Sequence, residues 1–151
     1  MTGTAQEVPG QWDCIICVNV LEHIKDDQGE IETYKRLLKV GGHLCIFVPA
    51  RQEIYAPADA KFGHFRRYSK GQLRQRAETA GLRIMNLDYF NPIGYLTWLV
   101  ACKWMGRRSF SLGNIKLFDR YILPVSLVLG RWLGQPIGQS LILVAAKPSA
   151  P

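Results

Sequence analysis

Apolar residues fall into blocks along this chain whose spacing predicts strands alternating with helices. Cys14 to Val18 is apolar at every position, and the block stops at a polar corner holding Asn19, Glu22 and His23. A continuous run of that length predicts a strand covered on both faces, as in a parallel sheet between layers of helices. Ligands bind beyond the carboxyl ends of such strands, which is where Asn19 to His23 would lie. Asp26 or Asp27 then caps a helix reaching about Leu38, with Glu30 three residues after Asp27 and Ile31, Tyr34, Leu37 and Leu38 on one face. Gly41 and Gly42 are placed to end that helix through a left-handed cap. His43 to Val48 is the second strand, stopped by Pro49, and the strand, helix, strand order predicts a right-handed parallel crossover.

Residues 1–11 have no period and contain Pro9-Gly10, so they read as a leader loop. From Ala50 to Tyr68 runs a long polar and aromatic connection, and connections of that length leaving a strand's carboxyl end are often functional. Ser69 caps the next helix with Gln72 at its third position, and Gly81 closes it. Arg83 to Phe90 is a third strand. Ile93 to Met105 is apolar on nearly every face, and Tyr121 to Gly130 carries no charge, with Pro124 set to kink or restart its helix. Neither run reaches the roughly 20 apolar residues that a membrane span requires. They are buried helices, partner-binding helices, or helices lying in a membrane surface. Ser140 to Ala146 is wholly apolar and suits the middle of a sheet.

Composition changes this picture in two respects. The 151 residues are 48% hydrophobic, enough for one domain with a real core. The net charge of +7 is clustered: after Asp88, seven lysines and arginines face the single acid Asp119, so +6 of it lies beside the greasiest helices. Four cysteines sit in apolar runs without a secretory signal before them, which reads as reduced core thiols of a cytoplasmic protein. Cys14 and Cys17 spell C-x-x-C, but residues three apart on a strand point to opposite faces, and no second ligand pair follows. Three isolated histidines and scattered carboxylates show no metal-ligand spacing, so no metal site is expected.

Two groups of residues carry candidate chemistry. His23 can serve as a general base, or simply hydrogen-bond within its turn. The run Gly63-His64-Phe65-Arg66-Arg67-Tyr68, with Tyr55 and Asp59 upstream, suits recognition of a carboxylate, phosphate or glycan, because guanidinium offers a fixed fork. A solvated basic turn before a helix accounts for the same residues.

Taken in order, D-C-I-I-C-V-N-V-L-E-H-I, L-L-K-V-G-G-H-L-C-I-F-V-P-A, G-H-F-R-R-Y-S and A-G-L resemble the carboxyl-terminal half of a class I S-adenosylmethionine-dependent methyltransferase of type 11 or 12. The resemblance implies an α/β fold: a partial Rossmann-like sheet holding strands 4, 5, 7 and 6 of seven, helices on its faces, and the last strand antiparallel. It implies that residues 12–148 form that half-domain, with residues 91–134 as a basic, hydrophobic helical insertion covering the acceptor. The family's glycine-rich turn and ribose-gripping acid have no counterpart, so the chain is expected to be truncated or completed by another polypeptide. S-adenosyl-L-methionine is the implied cofactor, with Asn19, Val20, Leu21 and Glu22 beside it. His23 and His64 are the implied catalytic residues, and Tyr55, Asp59, Arg66, Arg67 and Tyr68 the implied substrate contacts.

The implied partner is a small-molecule or lipid-like methyl acceptor, with peripheral membrane contact through residues 93–133. Nucleic acid is not expected, since the aromatics stand among apolar rather than basic residues. A rival expectation is a non-catalytic module or inactive fragment that self-associates through an exposed sheet edge at residues 14–18. A nicotinamide-dependent reductase lacks both a glycine fingerprint and a Tyr-x-x-x-Lys pair.

Overall fold

The computed structural model describes residues 5–107, 111–133 and 136–149. The first four leader residues, Arg108 of the basic excess and Gly134 at the end of the insertion lie outside them. Four strands form one sheet: β1 (Trp12–Val18), β2 (Leu38–Pro49), β3 (Arg83–Phe90) and β4 (Ser140–Ala146). Their spatial order is β1-β2-β4-β3. β1 and β2 run parallel, while β4 lies antiparallel to both β2 and β3. The apolar purity of Ser140 to Ala146 has its cause here, because β4 is flanked by strands on both sides, with Leu141, Leu143 and Ala145 fully buried. The mixed α/β sheet is the methyltransferase arrangement that the motifs implied.

Helix α1 (Asp27–Leu37) starts where Asp26 accepts a hydrogen bond from the backbone N–H of Gly29. Helix α3 (Lys70–Thr79) starts at a full Ser69–Gln72 capping box and stops before Gly81, whose φ of +74° suits a residue without Cβ. Both helices pack on one face of the sheet, where Leu21, Ile31, Leu44, Ile46, Val48, Leu73, Ala77 and Leu143 form a continuous core. Burial of each large side chain there contributes about 1.5–3 kcal/mol.

Two expectations need correction. The α1 helix does not run into a glycine cap: it ends at Leu37, and Leu38 is already extended and paired in β2. Gly41 and Gly42 instead lie in a strand irregularity opposite Trp12 to Cys14. A Cβ on Gly42 would stand 2.9 Å from the carbonyl of Lys39 and 3.1 Å from that of Asp13, so glycine serves close backbone approach here. The first strand is not covered on both faces either. Cys17 is buried, but Ile16 is 71% and Val18 53% exposed, since β1 is the sheet's outer strand and α1 and α3 cover only one side.

After β3, Asn91 takes a left-handed φ of +61° and its side chain caps helix α4 (Pro92–Trp98), which widens into a π-helical stretch, Leu99–Trp104. Helix α5 (Leu112–Leu117), a second π-helical stretch (Phe118–Ile122) and helix α6 (Leu123–Leu133) follow. Pro124 thus sits at the start of a restarted α-helix. The buried Ser126 hydroxyl ties α6 to α4, donating to Asn91 Oδ1 (2.9 Å) and accepting from the N–H of Ile93 (3.1 Å). Among the described residues, no helix is long and apolar enough to cross a membrane.

Candidate active site

At the carboxyl end of β1 the chain turns through Asn19, whose φ is +50° and whose N–H donates to the carbonyl of Phe47 on β2. A single 3-10 turn, Leu21–His23, follows. Asn19 and Val20 face solvent, whereas Leu21 and Glu22 are fully buried. Beyond β2, the connection is more ordered than its sequence suggests: a turn at Gln52–Ile54 and a short helix, α2 (Pro57–Lys61), fold it back over the corner. The N–H of Phe65 donates to the carbonyl of Glu22 at 2.8 Å, and the Tyr68 hydroxyl reaches the carbonyl of Leu21 at 3.2 Å. The two motif-bearing segments therefore share one rim.

Asp59 organises the inner layer of this rim. Its Oδ1 accepts from Arg67 Nε (2.9 Å) and stands 3.0 Å from His64 Nδ1, while Oδ2 accepts from the N–H of Ala56 (2.9 Å). Arg67 also donates to the carbonyl of Ala50 and lies over the Trp98 ring at 4.6 Å. Tyr55 donates to the carbonyl of His64 at 2.7 Å. Such partners lock a side chain's rotamer, so His64 is held while its Nε2 stays free to act.

Two of the three histidines, His23 and His64, are not isolated from one another as their sequence spacing suggests. Their rings meet edge to face with centroids 4.8 Å apart, and His23 Nδ1 stands 3.2 Å from the carbonyl of Gly63. The Glu22 carboxyl adjoins them, with His64 Nε2 3.9 Å from Oε1. Neither carboxyl oxygen of Glu22 meets a hydrogen-bond donor. Burial raises its pKa above the ordinary carboxylate value, opposed first by the residue's own backbone N–H and then by the neighbouring imidazoles and Arg67.

The implied acceptor contacts separate into two groups. Asp59, Arg67 and Tyr68 are buried: Asp59 and Arg67 spend polar atoms on the connection itself, and the Tyr68 hydroxyl on Leu21 and Asp27. Arg66 is partly exposed but engaged, with Nη1 2.8 Å from Asp27 Oδ2 and Nη2 donating to the carbonyl of Lys25. Sequence reasoning missed Asp27. It is buried and receives Tyr68, Arg66 and Arg76, which makes it the hub joining corner, loop and α3. The adjacent pair Asp26-Asp27 was the available signal, since only one of two such acids can cap the helix.

The α/β sheet thus carries an acid-and-imidazole rim at its strand ends. The chain matches the model of the Methyltransferase domain family over residues 4–87, more than half its length, and belongs to that family. It is 42% identical over 42 residues to the ubiquinone biosynthesis O-methyltransferase of Pseudomonas paraeruginosa, a match covering 28% of this chain and 18% of that protein. Among solved structures, it superposes on a chain of the complex between the Haloferax volcanii Trm112 methyltransferase activator and a candidate methyltransferase. That match has a TM-score of 0.61 at 16% identity and covers 100% of this chain and 61% of the other. Phosphoethanolamine N-methyltransferase 2 of Haemonchus contortus, in complex with S-adenosyl-L-methionine, gives a TM-score of 0.57 at 16% identity, over 96% of this chain and 36% of that one.

Proposed function

We propose that this rim transfers the methyl group of S-adenosylmethionine to a small, largely apolar acceptor. The observation carrying the proposal is the meeting of the Asn19–His23 corner with the His64–Tyr68 loop at the ends of parallel strands, where ligands of such sheets bind. Asn19 and Val20 fit the cofactor side, because the left-handed turn leaves both exposed at the strand end. Leu21, being buried, contributes only backbone, and Glu22 borders the same place. When bound, the cofactor supplies an electrophilic methyl on a sulfonium.

The chain's own part is positioning and proton handling. An acceptor with an N–H or O–H must lose its proton as its lone pair forms the new bond to carbon. His64 Nε2 faces the rim while Nδ1 is held by the buried Asp59, an arrangement that fixes the ring's orientation. His23 is the second candidate base, with its Nδ1 anchored on Gly63. On the acceptor side, a cleft of about 480 Å³ is lined by Phe62, Trp98, Ala101, Ile115 and Phe118. Phe62 lies 6.0 Å from the His64 ring, so an apolar or lipid-like body in the cleft would present its head to the imidazole. Strands pairing with the free edge of β1 would complete the cofactor's surroundings.

Titration calorimetry with S-adenosylmethionine tests this reading. Saturable binding with a Kd below about 1 mM, weakened by Asn19→Ala, supports it. Absence of binding, together with self-association that Ile16→Lys abolishes, would instead favour a non-catalytic module that pairs through β1.

A further inference from the structure

We infer that the outer face of the α5–α6 segment docks this chain on an anionic lipid bilayer, lying in the bilayer surface rather than crossing it. From Leu112 to Leu133 the chain is helical without a break, through α5, the second π-helical stretch and α6. Leu117, Tyr121, Val125, Val128 and Trp132 follow one another at steps of four, four, three and four residues, the spacing of a single helix face. That face is bare, with exposures of 59%, 60%, 58%, 57% and 85% in the same order. At about 1.5 Å per residue, the stripe from Leu117 to Trp132 is about 22 Å long.

The other side of the same segment is occupied. Ser126 is buried and bonded to Asn91 and Ile93, while Phe118 and Ile122 line the apolar cleft. The segment is therefore fixed to the protein by one side and offers the stripe outward, as a helix lying on a membrane does. Single exposed apolar residues are ordinary, whereas a continuous row marks an interaction surface. This row also has relief, since Pro124, Val125, Val128 and Trp132 line an open hollow of about 360 Å³.

Charge selects the occupant. Lys116 and Arg120 are exposed one turn apart on this segment, and the Arg120 guanidinium lies over the Tyr121 ring at 5.6 Å. Arg107, also exposed, lines the cleft with Leu117. Asp119 is the only acid after Asp88. In a two-fold contact between copies the patch would meet itself, setting these cations against their own counterparts. Acidic headgroups would instead neutralise them, and tryptophan and tyrosine are the aromatics that settle at headgroup level. Leu117 belongs to both the stripe and the cleft, so docking brings the mouth of the cleft to the lipid. The inference stands apart from methyl transfer, because it is read from the outer face alone.

Co-sedimentation of the whole chain with vesicles tests it, comparing phosphatidylcholine alone with phosphatidylcholine mixed with phosphatidylglycerol. Partition onto the anionic vesicles should be at least about 10-fold stronger and should fall as salt is added. Val125→Asp should weaken it at least about 10-fold, and the double variant Lys116→Gln, Arg120→Gln should remove most of the preference for the anionic lipid. Quenching of tryptophan fluorescence by brominated lipid should drop in Trp132→Phe and not in Trp12→Phe, which lies on β1. All these side chains are exposed, so the variants retain the fold. Absence of sedimentation with anionic vesicles, equal partition onto both kinds, or Val125→Asp binding as the parent does would overturn the inference. So would a dimer seen without lipid by sedimentation velocity and dissolved by Val125→Asp, which assigns the face to a second copy. S-adenosylmethionine binding by Val125→Asp, measured by calorimetry, reads the methyl-transfer proposal separately from any of these results.

Discussion

Replacing Asp59 by alanine should do more damage than removing any other single side chain of the rim. The Asp59 and Arg67 side chains are 0% and 1% exposed and joined at 2.9 Å, so the substitution leaves a buried guanidinium without its ion-pair partner. Breaking a buried pair from one side costs about 3–5 kcal/mol. The N–H of Ala56 and Nδ1 of His64 lose their acceptor as well, but His64 is within reach of water and relaxes more cheaply. For a chain of this size, that loss lowers the thermal midpoint by roughly 6–20 °C. The double variant Asp59→Ala, Arg67→Met removes the stranded charge and should recover at least about 1.5 kcal/mol, less the stacking of Arg67 on Trp98. Thermal and urea unfolding of the four members of this cycle provide the measurement. If Asp59→Ala shifts the midpoint by under about 2 °C, or Arg67→Met rescues nothing, the reasoning about the inner layer fails.

Glu22→Gln should stabilise the protein at neutral pH. Burial raises the folded pKa of Glu22, so stability is lost as the pH rises above the unfolded value and the penalty is complete above the folded one. The penalty disappears below the unfolded value of 4.5, and the gap between variant and parent should close as the pH falls toward it in urea unfolding series. Tyr68→Phe removes a single donor shared between Asp27 Oδ2 and the carbonyl of Leu21, and should cost about 1–2 kcal/mol because Asp27 keeps both of its arginines. Gly42→Ala drives a Cβ against backbone carbonyls and should cost about 1–3 kcal/mol in urea unfolding, most of it from disturbing the β1–β2 pairing.

The sheet was legible because its strands are bounded by hard punctuation. Gly81 precedes β3, Asn91 follows it, and β4 is a short apolar run with nowhere to lie but between neighbours. Less could be read where one residue pattern fits two geometries. Paired glycines suit a helix cap as well as a strand irregularity, and only the backbone carbonyls near Gly42 distinguish them. An apolar run such as Cys14 to Val18 does not reveal whether its second face is covered, which depends on elements outside the run. In the site, the corner and the loop were both visible as motifs, but their contact was not. Residues as distant in sequence as His23 and His64 meet only because α2 folds the connection back, and that fold rests on Asp59 and Arg67 pairing inside it. Polar side chains read as ligand contacts were partly the scaffold that places them.

The central claim is that the Asn19–His23 corner and the His64-bearing loop form a single ligand-binding rim. Nuclear magnetic resonance on uniformly labelled chain, titrated with S-adenosylmethionine, tests it most directly. The account predicts that the amides of Asn19 to His23 and the ring signals of His64 shift together along one binding curve, while those of α5 and α6 stay in place. Shifts confined to the insertion, or to only one of the two segments, would contradict it.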